Sequence, residues 1–291
     1  MRGQQVWWAV GLIASAVVVS SQCAYPAQAK AKAKATPNVE ELRVGKSFIP
    51  TKVYTEEEDQ KIIELFKGLR VADVVDGMDS VGLHGIGLMD RDIRPLWRDT
   101  EHYTHRIIGV AVTARYVPTN KPPVRAKTVE EFDEWVGATY KAVTSEPFVP
   151  LLRKGSVLVI ELDEGVDAGT IGSNNSMGWK ARGCIGIVTD ATARDTDEIA
   201  TVRIPLYFKR PGRGIRPGRN EIESVNRPVV VGGVLVVPGD VVVADGDGVV
   251  VVPRDRAEQV AKYALKTLEG DKASRRGHYK KLGLPDDDSV K

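Results

Sequence analysis

"GSVLVIEL" (Gly155–Leu162) and "CIGIVTDA" (Cys184–Ala191), separated by "NNSMGWKARG" (Asn174–Gly183), decide the fold. Each flank is a short, continuous apolar run rich in Val and Ile, the pattern of a strand buried on both faces. The middle stretch reads as a helix closed by Gly183. Strand, helix and strand over residues 156–190 make a βαβ unit, so the two strands lie parallel and their following loops leave the same sheet edge. Those loops are "ELDEGVDAGTIGSNN" (Glu161–Asn175) and "TDATARDTDE" (Thr189–Glu198).

Working outward, "RIIGVAVTARYV" (Arg106–Val117) alternates like a strand, with Gly109 marking a bulge or a close backbone approach. Upstream, Thr55 caps a helix whose stripe is Ile62, Ile63, Leu65 and Phe66. A second helix follows Arg70, with Val71, Val74, Val75 and Met78 on its face. "TVEEFDEWVGATYKAVTS" (Thr128–Ser145) has helical spacing with Thr128 as cap. Downstream, "PVVVGGVLVVPGDVVVADGDGVVVVP" (Pro228–Pro253) reads as short antiparallel strands joined by tight turns. "RDRAEQVAKYALKTLEG" (Arg254–Gly270) is an amphipathic helix, and the tail ending "DDDSVK" is expected to fray. The sum is one α/β sandwich domain of mixed sheets and flanking helices.

The organisation expected is a signal peptide over 1–29, a linker or arm over 30–54, the α/β domain over 55–275 and a tail over 276–291. Arg2, the apolar "VWWAVGLIASAVVVSS" and Ala27 and Ala29 make an export signal with cleavage after Ala29. An uncleaved anchor is the alternative. Gln22 fits poorly before a lipidated Cys23. Cleavage leaves Cys184 as the one cysteine, read as a buried, inert thiol, and leaves no stable membrane association. The net charge of +2 gives no global attraction to nucleic acid, and the local basic run "KRPGRGIRPGR" (Lys209–Arg219) lacks interleaved aromatics, so no nucleic-acid partner is expected.

Four histidines, with His102 and His105 close in sequence, match no zinc spacing, and no nucleophile elbow or phosphate loop is present. Asp240, Asp245 and Asp247 read as turn chemistry. The chemistry therefore falls to the two loops. The first leads through Gly172–Asn175 into a helix N-terminus, whose free N–H groups favour anions. The second carries Arg194 beside Asp195. A guanidinium binds a planar carboxylate, and a lone carboxylate suffices for a hydrated Mg²⁺. A 2-oxo acid chelated to a divalent metal fits that inventory; a salt-bridged surface turn also fits it.

"RVADVVDGMDSVG", "GVAVTA", "GSVLVI", "GTIGSNN…WKARGCIGIVTDATARD" and the Val-rich stretch follow one another in the order typical of the RraA-like family, which this chain resembles over about residues 58–264. The family includes 4-hydroxy-4-methyl-2-oxoglutarate aldolases that also decarboxylate oxaloacetate, and regulators of ribonuclease E. The resemblance implies an α/β/β/α sandwich like the phosphohistidine swivelling domain, assembled as a homotrimer or homohexamer with sites between subunits. It implies that Arg194 binds the substrate and Asp195 holds Mg²⁺ or Mn²⁺. Gly172, Ser173, Asn174 and Asn175 would contact the 2-oxo acid, and a neighbouring subunit would contribute Asp76. The implied activity is a pyruvate-releasing lyase; the alternative is a non-catalytic binding or regulatory protein outside the cytoplasm. One departure bears on this. The aldolases usually carry Asp where this chain has Ser173, a far weaker base, with Asp167 as a possible substitute. The segment from Pro118 to Pro150 also looks longer than the family's usual connection.

Overall fold

A computed structural model describes residues 48–122, 124–162 and 165–291. The expected signal, Cys23 and residues 30–47 of the expected arm lie outside the described residues. Ile49–Lys291 forms one compact unit.

Among the described residues, six α-helices and twelve strands build it. In the N-terminal half are α1 (Glu56–Leu65), α2 (Val71–Ser80), β1 (Arg94–Pro95), β2 (Ile107–Pro118) and α3 (Val129–Ala142). The βαβ unit is β3 (Ser156–Glu161), α4 (Ser173–Ala181) and β4 (Cys184–Thr189). It is followed by β5 (Thr192–Ala193), α5 (Thr196–Thr201), β6 (Leu206–Phe208) and β7 (Arg210–Pro211). β8 (Asn220–Val225), β9 (Val229–Val231), β10 (Val234–Val236), β11 (Val241–Asp245), β12 (Gly248–Val252) and α6 (Ala257–Leu282) complete the chain.

The main sheet has eight strands in the order β1-β6-β4-β3-β2-β11-β12, with β8 also on β2. β2, β3, β4 and β6 run parallel, as the βαβ reading requires, and β1, β8, β11 and β12 are antiparallel to their neighbours. β2 is long enough to take two partners in turn: β11 along Ile107–Val110 and β8 along Ala114–Pro118. A single curled sheet thus supplies both β layers of the α/β/β/α arrangement. Its inner face meets the β9–β10 hairpin around Val157, Val159, Val188, Val242 and Val251. One outer face is covered by α1, α2 and α6, the other by α4 and α5 with the loops around Phe148.

Local signals account for most of this. Thr55 and Glu58 form a capping box on α1, with Thr55 Oγ1 accepting from Glu58 N at 3.2 Å and Glu58 Oε2 from Thr55 N at 2.7 Å. Thr128 caps α3 by accepting from Glu131 N at 3.2 Å. Gly109 is a close approach: a Cβ there would lie 2.4 Å from Gly155 O. The bulge falls instead at Arg115/Tyr116. Asp240 and Asp245 do turn and capping work. Asp240 accepts from Val237 N and Arg254 N, and Asp245 from Val71 N at the start of α2 and from Asp247 N.

Three expectations are corrected. Leu65 is exposed, because the buried side of α1 is Ile62 and Phe66. The last residues of the expected linker are part of the domain, since Tyr54 O accepts from Arg153 at 2.6 Å and its ring lies under Arg254. The C-terminus does not fray: α6 continues to Leu282, Tyr279 Oη bonds Asp287 at 2.9 Å, and Val290 is buried.

Candidate functional site at the start of α4

The loop before α4 is fastened to the loop after β4 and to the stretch after β7. Ala168 bridges Gly214, Gly169 N donates to Gly214 O, Ile171 bridges Ala193, and Arg194 N donates to Ile171 O at 2.8 Å. Thr192 and Ala193 also pair with Arg210 and Pro211. The two loops that sequence reasoning placed on one sheet edge are therefore held against each other.

Gly169 and Gly172 set how closely. A Cβ at Gly169 would lie 2.5 Å from Arg194 Cγ, so the arginine stem lies flat on a bare backbone. A Cβ at Gly172 would lie 3.0 Å from Asp195 Oδ2, 3.8 Å from Arg194 Nε and 3.9 Å from Asn175 Oδ1. Those three polar atoms surround the small space beside the Gly172 Cα.

Asp195 sits in the left-handed region at φ 56°, ψ 39°, where a non-glycine residue is uncommon. From there its carboxylate turns away from α5, which it precedes, and reaches α4. Oδ2 accepts from Ser173 N at 3.0 Å and Ser173 Oγ at 3.2 Å. Gly172, the N-cap residue of α4, has no side chain to offer, so Asp195 caps that helix from a distance. Oδ1 stands 3.8 Å from Arg194 Nε, beyond hydrogen-bond range, and both side chains are 36% exposed. One carboxylate oxygen is thus committed to the fold and the other faces its arginine and solvent.

Of the expected site residues, Gly172, Ser173, Asn175, Arg194 and Asp195 come together here. Asn174 is exposed on the first turn of α4. Asp76 is exposed on α2, in the helical layer away from α4. Asp167 does not substitute for the acid missing at Ser173, because its carboxylate is taken by Arg213 N at 2.9 Å and the Arg213 guanidinium. Glu161 ties β3 to Arg115 at 3.0 Å and to Val230 N at 2.9 Å. His105 is buried, its Nδ1 accepting from Asp99 N, and burial lowers its pKa. No group of three or more metal-type side chains occurs among the described residues. Cys184 is buried, and burial raises its thiol pKa to about 11.

Sequence reasoning missed Glu146 and Arg216. Glu146, just past α3, accepts from the Asn175 amide, from Trp179 Nε1 at 2.9 Å and from Arg216 Nη2 at 2.6 Å. Arg216, in the basic run Lys209–Arg219, is buried and also donates to Tyr116 Oη at 2.8 Å. The one signal in the sequence was the expectation that the 118–150 segment is longer than the family's usual connection. A cleft of about 670 Å³ lies elsewhere, between Tyr54, Leu88, Leu235 and Pro253. Its walls carry Lys52, Asp240, Arg254 and Asp255, but Arg254 is already taken by Asp59 and by the Gly239 and Glu58 carbonyls, whereas Arg194 and Asp195 stay loosely paired.

The sequence matches the family described as "RraA-like: Aldolase/RraA" over residues 71–251. "Protein DlpA" of Legionella pneumophila is 26% identical over 196 residues, covering 67% of this chain and 28% of its own length. A Halalkalibacterium halodurans protein named "Putative 4-hydroxy-4-methyl-2-oxoglutarate aldolase" is 32% identical over 124 residues, covering 42% of this chain and 58% of its own length. The chain spans less than two thirds of either relative. Among solved structures, Streptomyces coelicolor RraAS2, described as an unusual member of the RNase ES inhibitor RraA protein family, superposes with a TM-score of 0.59 at 22% identity, covering 78% of this chain and 99% of that one. A Pseudomonas syringae pv. tomato protein described as uncharacterized gives 0.59 at 24% identity, covering 82% and 97%. These structural likenesses speak for the fold.

Proposed function

The chain belongs to the RraA-like family, and on that premise we propose that it is a divalent-metal-dependent lyase acting on a small 2-oxo acid. The reaction is of the 4-hydroxy-4-methyl-2-oxoglutarate aldolase or oxaloacetate decarboxylase type and releases pyruvate. The observation that carries this reading is the half-exposed Arg194–Asp195 pair at the N-terminus of α4, with Asp195 Oδ1 free of hydrogen bonds among the described residues.

The donor set fits Mg²⁺ or Mn²⁺. Mg²⁺ takes one or two carboxylates and keeps several waters, so Asp195 alone is an adequate protein ligand. When bound, the ion supplies a Lewis acid next to the substrate carbonyl. The chain's own groups do the rest. Arg194 has the planar fork to hold the substrate carboxylate, and its stem is positioned by the bare backbone of Gly169. The Ser173 N–H is taken by Asp195, and the positive end of the α4 dipole behind it would favour negative charge building up as the carbon–carbon bond breaks. Asp76, exposed on α2, would complete the site from a neighbouring subunit in a trimer or hexamer.

Ser173 favours a second reading. Its hydroxyl is spent on Asp195 at 3.2 Å and does not supply the acid–base function that an Asp would. A protein that binds metal and an oxo acid without cleaving it has this same constellation.

The test is pyruvate release from oxaloacetate and from 4-hydroxy-4-methyl-2-oxoglutarate, with Mg²⁺, Mn²⁺ or EDTA. Metal-dependent release that falls at least about 100-fold in both Arg194→Ala and Asp195→Ala supports the lyase. Mn²⁺ binding without release by folded protein supports the non-catalytic reading.

A further inference from the structure

We infer that Glu146 is a positioning residue for the α4 site, acting by fixing which end of the Asn175 amide faces Arg194 and Asp195. The inference rests on the functional reading above and extends it to a residue outside the two loops.

A carboxylate only accepts hydrogen bonds, so the Asn175 group that meets Glu146 must be the NH₂ end. The carbonyl end is then directed the other way. Asn175 Oδ1 lies 3.9 Å from the Cβ point of Gly172, the same point that is 3.0 Å from Asp195 Oδ2 and 3.8 Å from Arg194 Nε. Glu146 thereby turns a two-faced side chain into an oxygen acceptor beside the Asp195 carboxylate. That acceptor suits a donor: a water on a hydrated cation, or a substrate hydroxyl. The amide itself carries both an acceptor oxygen and a donor NH₂ end.

Glu146 is well held for this task. Asn175 and Trp179 are four residues apart and so share a face of α4, and Glu146 accepts from both. Arg216 bonds the same Oε1 as Asn175. The loop carrying Glu146 is itself pinned, with Ser145 O accepting from Tyr116 Oη at 2.8 Å and Val143 O from Ile222 N at 2.8 Å. The extended 118–150 segment therefore delivers a carboxylate to the back of the helix whose front faces the site.

The experiment is Mn²⁺ titration by EPR, with thermal melts and ¹⁵N–¹H spectra of the Asn side-chain amides, on the full chain. The variants are Glu146→Ala, Glu146→Gln, Asn175→Leu and the Glu146→Ala/Asn175→Leu pair. Glu146→Ala and Asn175→Leu are each expected to weaken Mn²⁺ binding about three- to tenfold, the share of one hydrogen bond. The double variant should be no weaker than Asn175→Leu, because both changes remove the same acceptor. Glu146→Gln should restore affinity, since its carbonyl oxygen can still take the Asn175 amide. Additive losses, or unchanged Mn²⁺ affinity in folded Asn175→Leu, overturn the inference. Asn175→Leu leaves the Glu146–Arg216 pair intact and so decides the matter even if Glu146→Ala does not fold. Wild type that binds no Mn²⁺ sinks the metal reading on its own. The amide spectra then judge the orientation separately: an Asn175 NH₂ signal shifted in Glu146→Gln upholds it, and one unmoved by that change overturns it.

Discussion

Two arginine–carboxylate constellations sit on the two helical layers of this molecule, and they differ in almost everything except residue type. On the α1 side, Asp59 is buried and bonded to Arg254 Nη1 at 2.9 Å and Arg153 Nη2 at 2.5 Å. Arg254 also donates to Glu58 O and Gly239 O and lies over the Tyr54 ring. On the α4 side, Arg194 and Asp195 stand 3.8 Å apart, half in water, with an oxygen to spare. The first set is saturated and holds α1 to the loops that flank the sheet. The second leaves one carboxylate oxygen unused by the fold. The difference teaches that spare hydrogen-bonding capacity near solvent, rather than the presence of a charged pair, marks a candidate site.

The largest effect expected from this comparison is at Asp59. Asp59→Ala strands two arginines, one of them almost fully buried, and should lower unfolding free energy by about 3–5 kcal/mol in urea denaturation. A loss below about 1 kcal/mol would erase the contrast between the two constellations.

Next comes Asp240, in the Val-rich layer next to Arg254. Burial raises its pKa from 3.8 to about 6, against the pull of two backbone N–H donors. A carboxyl whose folded pKa lies above its unfolded value is penalised when ionised. Its contribution is therefore most favourable below about pH 4 and is lost as pH rises through about 6. The stability of wild type minus that of Asp240→Asn should grow by about 2–3 kcal/mol as pH falls from 7 to 4. A flat difference would show that this aspartate is well solvated despite its burial, and would blur the comparison from the other side.

Much of this architecture was legible in the sequence because it is encoded locally. The βαβ unit announced itself through two Val- and Ile-rich runs around a helix ending at Gly183, and the capping box at Thr55 spans only four residues. That Gly172, Ser173, Asn175, Arg194 and Asp195 would lie together was legible because parallel strands return their loops to one edge. What escaped was long-range. Nothing near Glu146 indicates that it will meet residues 29, 33 and 70 positions away. Arg216 sits in a basic run of glycines and prolines with no periodic signal, yet its partners bury it. Asp167 looked available because its arginine partner is 46 residues on. The tail looked frayed because the chain reversal that docks Val290 against α6 has no periodic signal.

The smallest effects sharpen the comparison most, because they separate capping from binding. α1 is capped by its own Thr55, whereas α4 is capped by Asp195, reaching across 22 positions. Thr55→Ala should cost about 1 kcal/mol and leave Mn²⁺ affinity unchanged. Asp195→Asn keeps a carbonyl oxygen for Ser173 N and removes the charge, so it should cost only a few tenths of a kcal/mol. The same substitution should abolish Mn²⁺ binding in an EPR titration, since a hydrated divalent ion held by one side chain depends on that side chain's charge. If Asp195→Asn instead destabilises the protein by about 2 kcal/mol and leaves metal affinity untouched, Asp195 is a remote helix cap and nothing more. The α4 edge would then be as structural as the Asp59 cluster, and its half-exposed arginine an ordinary surface residue.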